Sequence, residues 1–159
     1  MKKNILKIIV LIAIDQLIKV IVFNTIGKTG DSILVIPNFL QITYVENFGA
    51  AFGVFVTRIF LIAVNLLIIF VVAKLLFSKK YKWDNKSSLG LSLILAGGIG
   101  NLIDRVFRGY VIDYIDITQV INYPVFNFAD ICIVVGVMLI MIMIIVNTLK
   151  SQENVNENA

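Results

Sequence analysis

The sequence predicts an α-helical integral membrane protein with four transmembrane helices and a small extracytoplasmic β-sheet on the outer leaflet. Of its 159 residues, 59% are hydrophobic, whereas about 45–50% is typical of soluble domains. Four apolar windows approach the roughly 20 residues with which a helix crosses a bilayer. Basic residues are concentrated in alternate connections, which is typical of the cytoplasmic side.

The four apolar windows are about 5–23, 59–77, 89–107 and 126–149. Pro124 precedes the fourth window, where it suits the start of a helix. The first window resembles a secretory signal peptide, because Met1-Lys-Lys-Asn precedes an apolar run. Asp15 and Lys19 interrupt that run and no small-residue cleavage site follows. We therefore expect an uncleaved first helix.

Lysines distinguish the two sides of the membrane. They cluster before the first window, between the second and third, and after the fourth: Lys2, Lys3, Lys7, Lys79, Lys80, Lys82, Lys86 and Lys150. The positive-inside rule places both termini on the cytoplasmic side. We expect residues 1–150 to form one membrane domain and Ser151–Ala159 to be a disordered cytoplasmic tail, because the tail is polar.

The long connection of about 24–58 is predicted to be extracytoplasmic and to contain two strands. Ser32–Ile36 and Leu40–Val45 are rich in Ile, Val, Thr and Tyr, and Pro37-Asn38 lies between them. This pattern predicts two short strands joined by a turn.

The residue types present exclude several kinds of chemistry. The chain has no histidine, which excludes Ser-His and Cys-His catalysis and His-ligated zinc. Its single thiol, Cys132, lies in an apolar run with no neighbouring base or cation, which is typical of an inert buried cysteine. No basic patch is interleaved with aromatic residues as on a nucleic-acid-binding surface. No cofactor, metal site or nucleic-acid partner is predicted.

Acidic residues near the predicted membrane surface are the strongest indication of function. Asp113 follows the third window by a few residues, and Asp130 lies about one turn into the fourth. Ionisable groups at membrane depth are costly and are usually functional or paired. Two adjacent carboxylates that cannot both ionise can share acid and base roles in hydrolysis. Spacing alone cannot decide whether Asp113 or Asp116 is the partner of Asp130.

Other polar residues lie near the same membrane edge or on the first helix. Asp15 and Lys19 share a helix face, and could form an intrahelical ion pair or brace another element. Asn47-Phe-Gly-Ala-Ala-Phe-Gly53 could be a tight junction before the second window or a wall for an extended peptide. Asn127 lies on the helix face of Asp130.

The end of the third window combines small and charged residues. Ala96, Gly97 and Gly100 would allow a neighbouring helix to pack closely. Asp104 and Arg105 are interpreted as an interfacial ion pair, although Arg105 could also order the loop of Asp113. Asn101 would be an inward polar contact.

Three classes of function remain open from these residues alone. One is a membrane aspartyl hydrolase. The second is a proton-coupled transporter or channel subunit, with a relay through Asp15, Lys19 and Asp130. The third is a non-catalytic assembly factor that binds other membrane helices.

Five segments in order resemble the lipoprotein signal peptidase family, also called signal peptidase II. They are Asp15-Gln-Leu-Ile-Lys19, Asn47-Phe-Gly-Ala-Ala-Phe, Gly100-Asn-Leu-Ile-Asp-Arg105, Val111-Ile-Asp113-Tyr-Ile and Phe126-Asn-Phe-Ala-Asp130. Each segment alone is weak, whereas all five in order on four predicted spans are specific. Two positions depart from the common pattern, namely Ile131 in place of Ser and Glu46 in place of a basic residue.

The resemblance implies an aspartic endopeptidase of the bacterial cell membrane. It would remove signal peptides from prolipoproteins, cutting within a lipobox just before a cysteine that carries diacylglycerol. It implies Asp113 and Asp130 as the catalytic pair and the cyclic peptide globomycin as an inhibitor. The other site residues that it implies are Asp15, Lys19, Asn47, Gly49, Asn101, Asp104, Arg105, Asn127 and Ala129.

Overall fold

The computed structural model describes residues 2–49 and 57–157, which are mostly helical. Its elements are α1 (Lys2–Thr25), β1 (Ser32–Ile36), β2 (Leu40–Asn47), α2 (Arg58–Phe77), α3 (Asn85–Phe107), β3 (Val111–Asp116) and α4 (Phe128–Glu157). Each predicted apolar window forms a helix. In the described part of the chain, α2, α3 and α4 are long and apolar enough to cross a membrane.

The end of α4 differs from the prediction. The helix continues to Glu157, so the expectation of disorder from Ser151 onward is wrong as far as that residue. No Pro or Gly interrupts the polar residues at this end. Because each added residue extends a helix that is already nucleated, it gains a hydrogen bond without the cost of a new first turn.

Helix α3 is the centre of the bundle, because it packs against α1, α2 and α4. Glycines bring α3 close to α4. A Cβ atom on Gly90 would lie 2.9 Å from the carbonyl oxygen of Gly136, and one on Gly97 would overlap the carbonyl oxygen of Ala129. A Cβ atom on Gly100 would lie 2.6 Å from a carboxylate oxygen of Asp15. The predicted close packing at Gly97 and Gly100 is confirmed.

An antiparallel sheet of three strands, in the order β1-β2-β3, lies beside the helices. The first two strands form where the sequence predicted them. The third strand was not predicted, because its sequence is short and carries two aspartates, residues that are depleted in strands. Val45 of β2 pairs with Asp113 of β3, so this unexpected strand carries one of the candidate catalytic residues.

Two apolar clusters lie on either side of a polar layer. One cluster joins α1, α2 and α3 and includes Ile8, Leu76 and Leu91. The other lies against the sheet and includes Val22 and Tyr44. Helix α1 contributes to both clusters, and its buried Asp15 and Lys19 lie between them. The apolar clusters therefore hold α1 at the height where these charged residues meet α3.

Candidate active site

Strand β3 presents Asp113 to two amide side chains. Asn47, at the end of β2, donates a hydrogen bond from Nδ2 to Asp113 Oδ2 at 2.8 Å. Asn127 donates from Nδ2 to Asp113 Oδ1 at 2.6 Å. Burial raises the pKa of Asp113 to about 7, although both of these hydrogen bonds favour the charged form. The carboxyl group can therefore hold a proton near neutral pH.

Asp130 is fixed by the way α4 begins. The backbone N–H of Asp130 donates to the side-chain oxygen of Asn127 at 3.0 Å, and the backbone N–H of Asn127 donates to Asp130 Oδ2 at 3.1 Å. This reciprocal pair has the pattern of a capping box, in which the residue before the helix and the third helical residue satisfy each other. Asn101 of α3 donates from Nδ2 to Asp130 Oδ1 at 2.8 Å.

The two carboxyl groups share one partner and one cavity. Asn127 contacts both, and Asp113 and Asp130 line the same cavity of about 300 Å³ together with Asn47, Pro124 and Phe126 among others. Over residues 2–49 and 57–157, no group of three His, Cys, Asp or Glu residues is arranged to hold a metal ion. Two carboxyl groups on the wall of one cavity, one of which retains a proton, have the chemistry to activate a water molecule.

A buried lysine organises the layer behind the carboxyl pair. The Nζ atom of Lys19 lies 2.9 Å from Asp15 Oδ2 and 2.8 Å from Asp104 Oδ2, and it donates to Asn101 Oδ1 at 3.0 Å. Asp15 also accepts a hydrogen bond from the backbone N–H of Ala129 at 3.1 Å. Both interpretations of Asp15 and Lys19 therefore hold, because the pair is intrahelical and also braces α3 and α4.

The predicted ion pair between Asp104 and Arg105 is wrong. Asp104 instead pairs with Lys19 and with Arg108, which lies one helical turn further on. Consecutive helical residues do not face each other, whereas residues four apart do. Arg105 lines a second cavity of about 250 Å³ with Asn101 and Asp130. Among the described residues, its Nε atom is the one buried side-chain nitrogen or oxygen without a hydrogen-bond partner.

The Asn-x-Gly sequence after β2 orients the amide that contacts Asp113. Gly49 has a φ of 94°, a left-handed conformation that glycine adopts without steric cost. Its N–H donates to Asn47 Oδ1 at 2.8 Å, so the Nδ2 group of Asn47 points towards Asp113. The tight junction is thus present at Asn47–Gly49. The remainder of the proposed peptide wall, 50–53, lies outside the described residues.

Asp116 belongs to a different network. It accepts hydrogen bonds from Gln41 at 2.6 Å, Thr43 at 2.8 Å, and both the backbone and the hydroxyl of Thr118. Side chains alternate between the faces of a strand, so Asp113 and Asp116 point to opposite sides of β3. Of the two aspartates that the spacing left open, Asp113 is the one that lines a cavity with Asp130.

Three polar residues around the site were missed from the sequence. Arg108 pairs with Asp104, and their spacing of four residues could have indicated it. Gln16 donates from Nε2 to the carbonyl oxygen of Gly100 at 3.2 Å, for which the sequence gives no signal. The hydroxyl of Tyr114 accepts a hydrogen bond from the backbone N–H of Phe128 at 3.2 Å. This hydroxyl ties β3 to the first turn of α4.

The polar layer also bears on the transporter alternative. A relay for protons would need charged side chains spread through the depth of the bundle. Asp15, Lys19 and Asp104 instead gather with the candidate pair at one level, between two apolar clusters. This arrangement favours chemistry at a single place over transport.

Fold and site together define a helical membrane protein with two carboxyl groups at the junction of a small sheet and a helix end. The chain belongs to the signal peptidase II family, because a model described as signal peptidase (SPase) II matches residues 7–146. A lipoprotein signal peptidase of Clostridium acetobutylicum is 40% identical over 156 residues, covering 96% of this chain and 99% of the relative. One of Enterococcus faecalis is 39% identical over 146 residues, covering 92% and 89%.

Solved structures agree with the family. One, described as a bacterial membrane enzyme structure by the in meso method at 2.3 Å resolution, is 34% identical with a TM-score of 0.82. The match covers 93% of this chain and 90% of the chain in that structure. A second, described in the same words at 1.9 Å resolution, is 36% identical with a TM-score of 0.82. This match covers 91% of this chain and 93% of the chain in that structure. The chain therefore has the fold of an integral membrane enzyme.

Proposed function

We propose that this chain is an aspartic endopeptidase that removes the signal peptide from prolipoproteins. The observation that carries the proposal is the shared contact of Asp113 and Asp130 with Asn127, on the wall of one cavity. Membership of the signal peptidase II family supports the reaction and the class of substrate.

The carboxyl pair would hydrolyse the peptide bond with a bound water. Burial raises the pKa of Asp113 to about 7. Asp113 therefore holds the proton at rest and donates it to the oxygen of the scissile carbonyl. Asp130 accepts a proton from the water as its oxygen bonds to the carbonyl carbon. When the carbon–nitrogen bond breaks, Asp130 returns that proton to the leaving amine, and the carbonyl re-forms as Asp113 regains its own. No covalent intermediate is needed.

The residues around the pair would position the peptide and the carboxyl groups. Asn101 and Asn127 orient Asp130, and Asn47 orients Asp113. Arg105 lines the neighbouring cavity, and its buried Nε–H has no hydrogen-bond partner among the described residues; a small movement of this side chain would let it donate a hydrogen bond to a substrate carbonyl. Lys19 and Asp15 hold α1 and α4 in the positions that this geometry needs.

The substrate follows from the family resemblance. The scissile bond would be the one just before a diacylglyceryl-cysteine in a lipobox, with the signal helix entering sideways from lipid. Globomycin, a cyclic peptide, would occupy the same cavity and block hydrolysis.

The topology of the chain is part of the proposal. We infer that α1 is a fourth membrane span, because it is a helix of 24 residues that contributes Ile8 to one apolar cluster and Val22 to the other. Both termini would lie in the cytoplasm, and the sheet and carboxyl pair at the extracytoplasmic side of the bacterial cell membrane. Residues 1–150 would form the membrane domain, with 151–159 following it on the cytoplasmic side.

The test uses purified protein and a diacylglyceryl-modified prolipoprotein in detergent micelles. Asp113→Asn and Asp130→Asn are each expected to lower kcat by about a thousandfold or more, as for loss of a general acid or base. Asp116→Asn is the matched control, because it removes a carboxylate from the same strand without touching the cavity. Full activity of either site variant would contradict the proposal, and so would equal loss in all three variants.

A further inference from the structure

Asp130 lines an apolar cavity of about 290 Å³ as well as the cavity of Arg105. The walls of the apolar cavity include Ile117 and Ile121 from the connection after β3, and Ile131 and Val135 from α4. The side chains of Ile121, Ile131 and Val135 are among the exposed hydrophobic residues. The mechanism described above does not use this cavity.

The apolar cavity adjoins the cavity that the carboxyl pair lines. Tyr123, Phe126, Asp130 and Val134 line both. Asp130 therefore stands at the boundary between a polar compartment and an apolar one. A ligand that occupied both would have to change from polar to apolar close to the bond that is cut.

The boundary is held firmly in place. The backbone of Phe126 exchanges hydrogen bonds with Ile115 of β3, at 2.7 Å and 3.1 Å, and its carbonyl also accepts from the N–H of Tyr114 at 3.0 Å. The ring of Phe126 packs edge-on against Tyr123, with centroids 5.8 Å apart. One wall of the apolar cavity is thus fixed to the strand that carries Asp113.

We propose that this apolar cavity binds one acyl chain of the lipid-modified residue at the cleavage site. The inference rests on the proposed function, in which the lipidated residue directly follows the scissile bond. A chain bound there would place the bond at Asp130. Bilayer lipid is as apolar as the cavity wall, so moving the acyl chain into the cavity adds little affinity. Binding instead positions the scissile bond, which should raise kcat more than it lowers KM.

The experiment compares two substrates that differ only in their acyl chains, with the protein in detergent micelles. One prolipoprotein peptide carries dipalmitoylglyceryl-cysteine and the other carries diacetylglyceryl-cysteine. Val135→Trp fills the apolar cavity. Val137→Trp is the matched control, since Val137 is on the same helix with similar exposure, 41% against 42%, and does not line the cavity.

The expected result is a loss that depends on chain length. Val135→Trp should lower kcat for the dipalmitoyl substrate by about tenfold or more and leave the diacetyl substrate unchanged, whereas Val137→Trp should change neither. Equal losses on both substrates, or no loss on either, would overturn the inference while hydrolysis by the wild-type protein still supports the proposed function. Absence of hydrolysis by the wild-type protein on both substrates would instead overturn the proposed function, and this inference with it.

Discussion

The ammonium group of Lys19 donates a hydrogen bond to Asn101 Oδ1 at 3.0 Å, and the Lys19 side chain has no exposed surface. The same amide of Asn101 donates from its nitrogen to Asp130. Because an amide has one oxygen and one NH₂ group, the cation determines which end faces the carboxylate. A lysine on α1 thus sets the orientation of a group on α3 that contacts a candidate catalytic residue on α4.

Replacing this lysine should destabilise the protein. Lys19→Met leaves Asp15 and Asp104 buried without their shared cation, and breaking one partner of a buried ion pair costs about 3–5 kcal/mol. Thermal unfolding in micelles, followed by circular dichroism, should show a lower midpoint. Lys79→Met, at an exposed lysine, is the control and should leave the midpoint unchanged. A midpoint for Lys19→Met equal to that of the wild type would mean that the buried pair contributes no net stability.

The pKa of Asp113 predicts how activity depends on pH. Because burial raises this pKa to about 7, Asp113 loses its proton as the pH rises through that value. The proposed acid is then absent, so kcat/KM, which reports the pKa values of the free enzyme, should fall on the alkaline side of about pH 7. A pH profile of kcat/KM in micelles measures this limb. A profile that rises from pH 6 to pH 8 would contradict the role of Asp113 as the acid.

The alkaline limb should move when Asn47 is replaced. Asn47 donates to the charged form of Asp113 and so lowers its pKa. Asn47→Ala should therefore shift the limb to higher pH, in addition to lowering kcat. Asn24→Ala removes an amide that, within residues 2–49 and 57–157, bonds to the Val20 carbonyl of its own helix, and it should leave the limb in place. A shift to lower pH in Asn47→Ala would show that the amide acts on Asp113 in some other way.

Asp116 should matter for stability rather than for hydrolysis. Its burial opposes ionisation, but hydrogen bonds from Thr118, Gln41 and Thr43 together lower its pKa to about 2. The charged form therefore stabilises the fold above the ordinary pKa of 3.8, and this stability is lost as the pH falls through about 2.

At pH 6, Asp116→Asn should lower the free energy of unfolding by about 1–3 kcal/mol, because it leaves hydrogen-bond donors unpaired. The variant should therefore unfold at a lower temperature than the wild type. The difference from the wild type should shrink towards pH 2. Unfolding curves across this range provide the measurement, and hydrolysis at neutral pH should remain within about threefold of the wild type, a change of less than 1 kcal/mol. A difference that grows on acidification would reverse the expected sign.

Two adjacent glycines of α3 should respond differently to alanine. At Gly97 the new Cβ would overlap the backbone oxygen of Ala129, which cannot move without moving α4. At Gly98 the nearest atom is 3.2 Å away, on the side chain of Ile69, which can rotate. Gly97→Ala should cost about 1–3 kcal/mol and lower activity. Gly98→Ala should be neutral or stabilising, because alanine favours the helix by about 1 kcal/mol over glycine.

Unfolding midpoints and kcat of the two glycine variants, measured side by side, check this pair. If Gly97→Ala kept the same unfolding midpoint and kcat as Gly98→Ala, α3 and α4 could separate without affecting the site.

The sequence predicted most of the fold because membrane helices have strong local signals. Apolar windows gave the helices, and a turn between two β-rich runs gave β1 and β2. The strand β3 could not be recognised, since Asp113 and Asp116 interrupt its apolar pattern. Had it been recognised, side-chain alternation would have separated the two aspartates without any knowledge of a family.

The site was harder to predict where it depends on contacts between distant segments. Spacing correctly linked Asp15 to Lys19, but it could not reveal that Asp104, 85 positions beyond Lys19, shares the same cation. The predicted pairing of Asp104 with Arg105 is wrong because consecutive residues of a helix point in different directions. That the Nε atom of Arg105 has no partner among the described residues depends on distant segments, which no local sequence pattern reveals.

The capping of α4 by Asn127 has a consequence for inhibition. One of the two hydrogen bonds that begin the helix, from the N–H of Asn127 to Asp130 Oδ2, also holds the carboxylate, so unwinding the first turn would leave Asn101 as its remaining described partner. A compound that packs against Phe128 and unwinds that turn would thus weaken hydrolysis without contacting either aspartate. Resistance to such a compound would require a more stable first turn of α4, where few substitutions leave the Asp130 carboxylate in place.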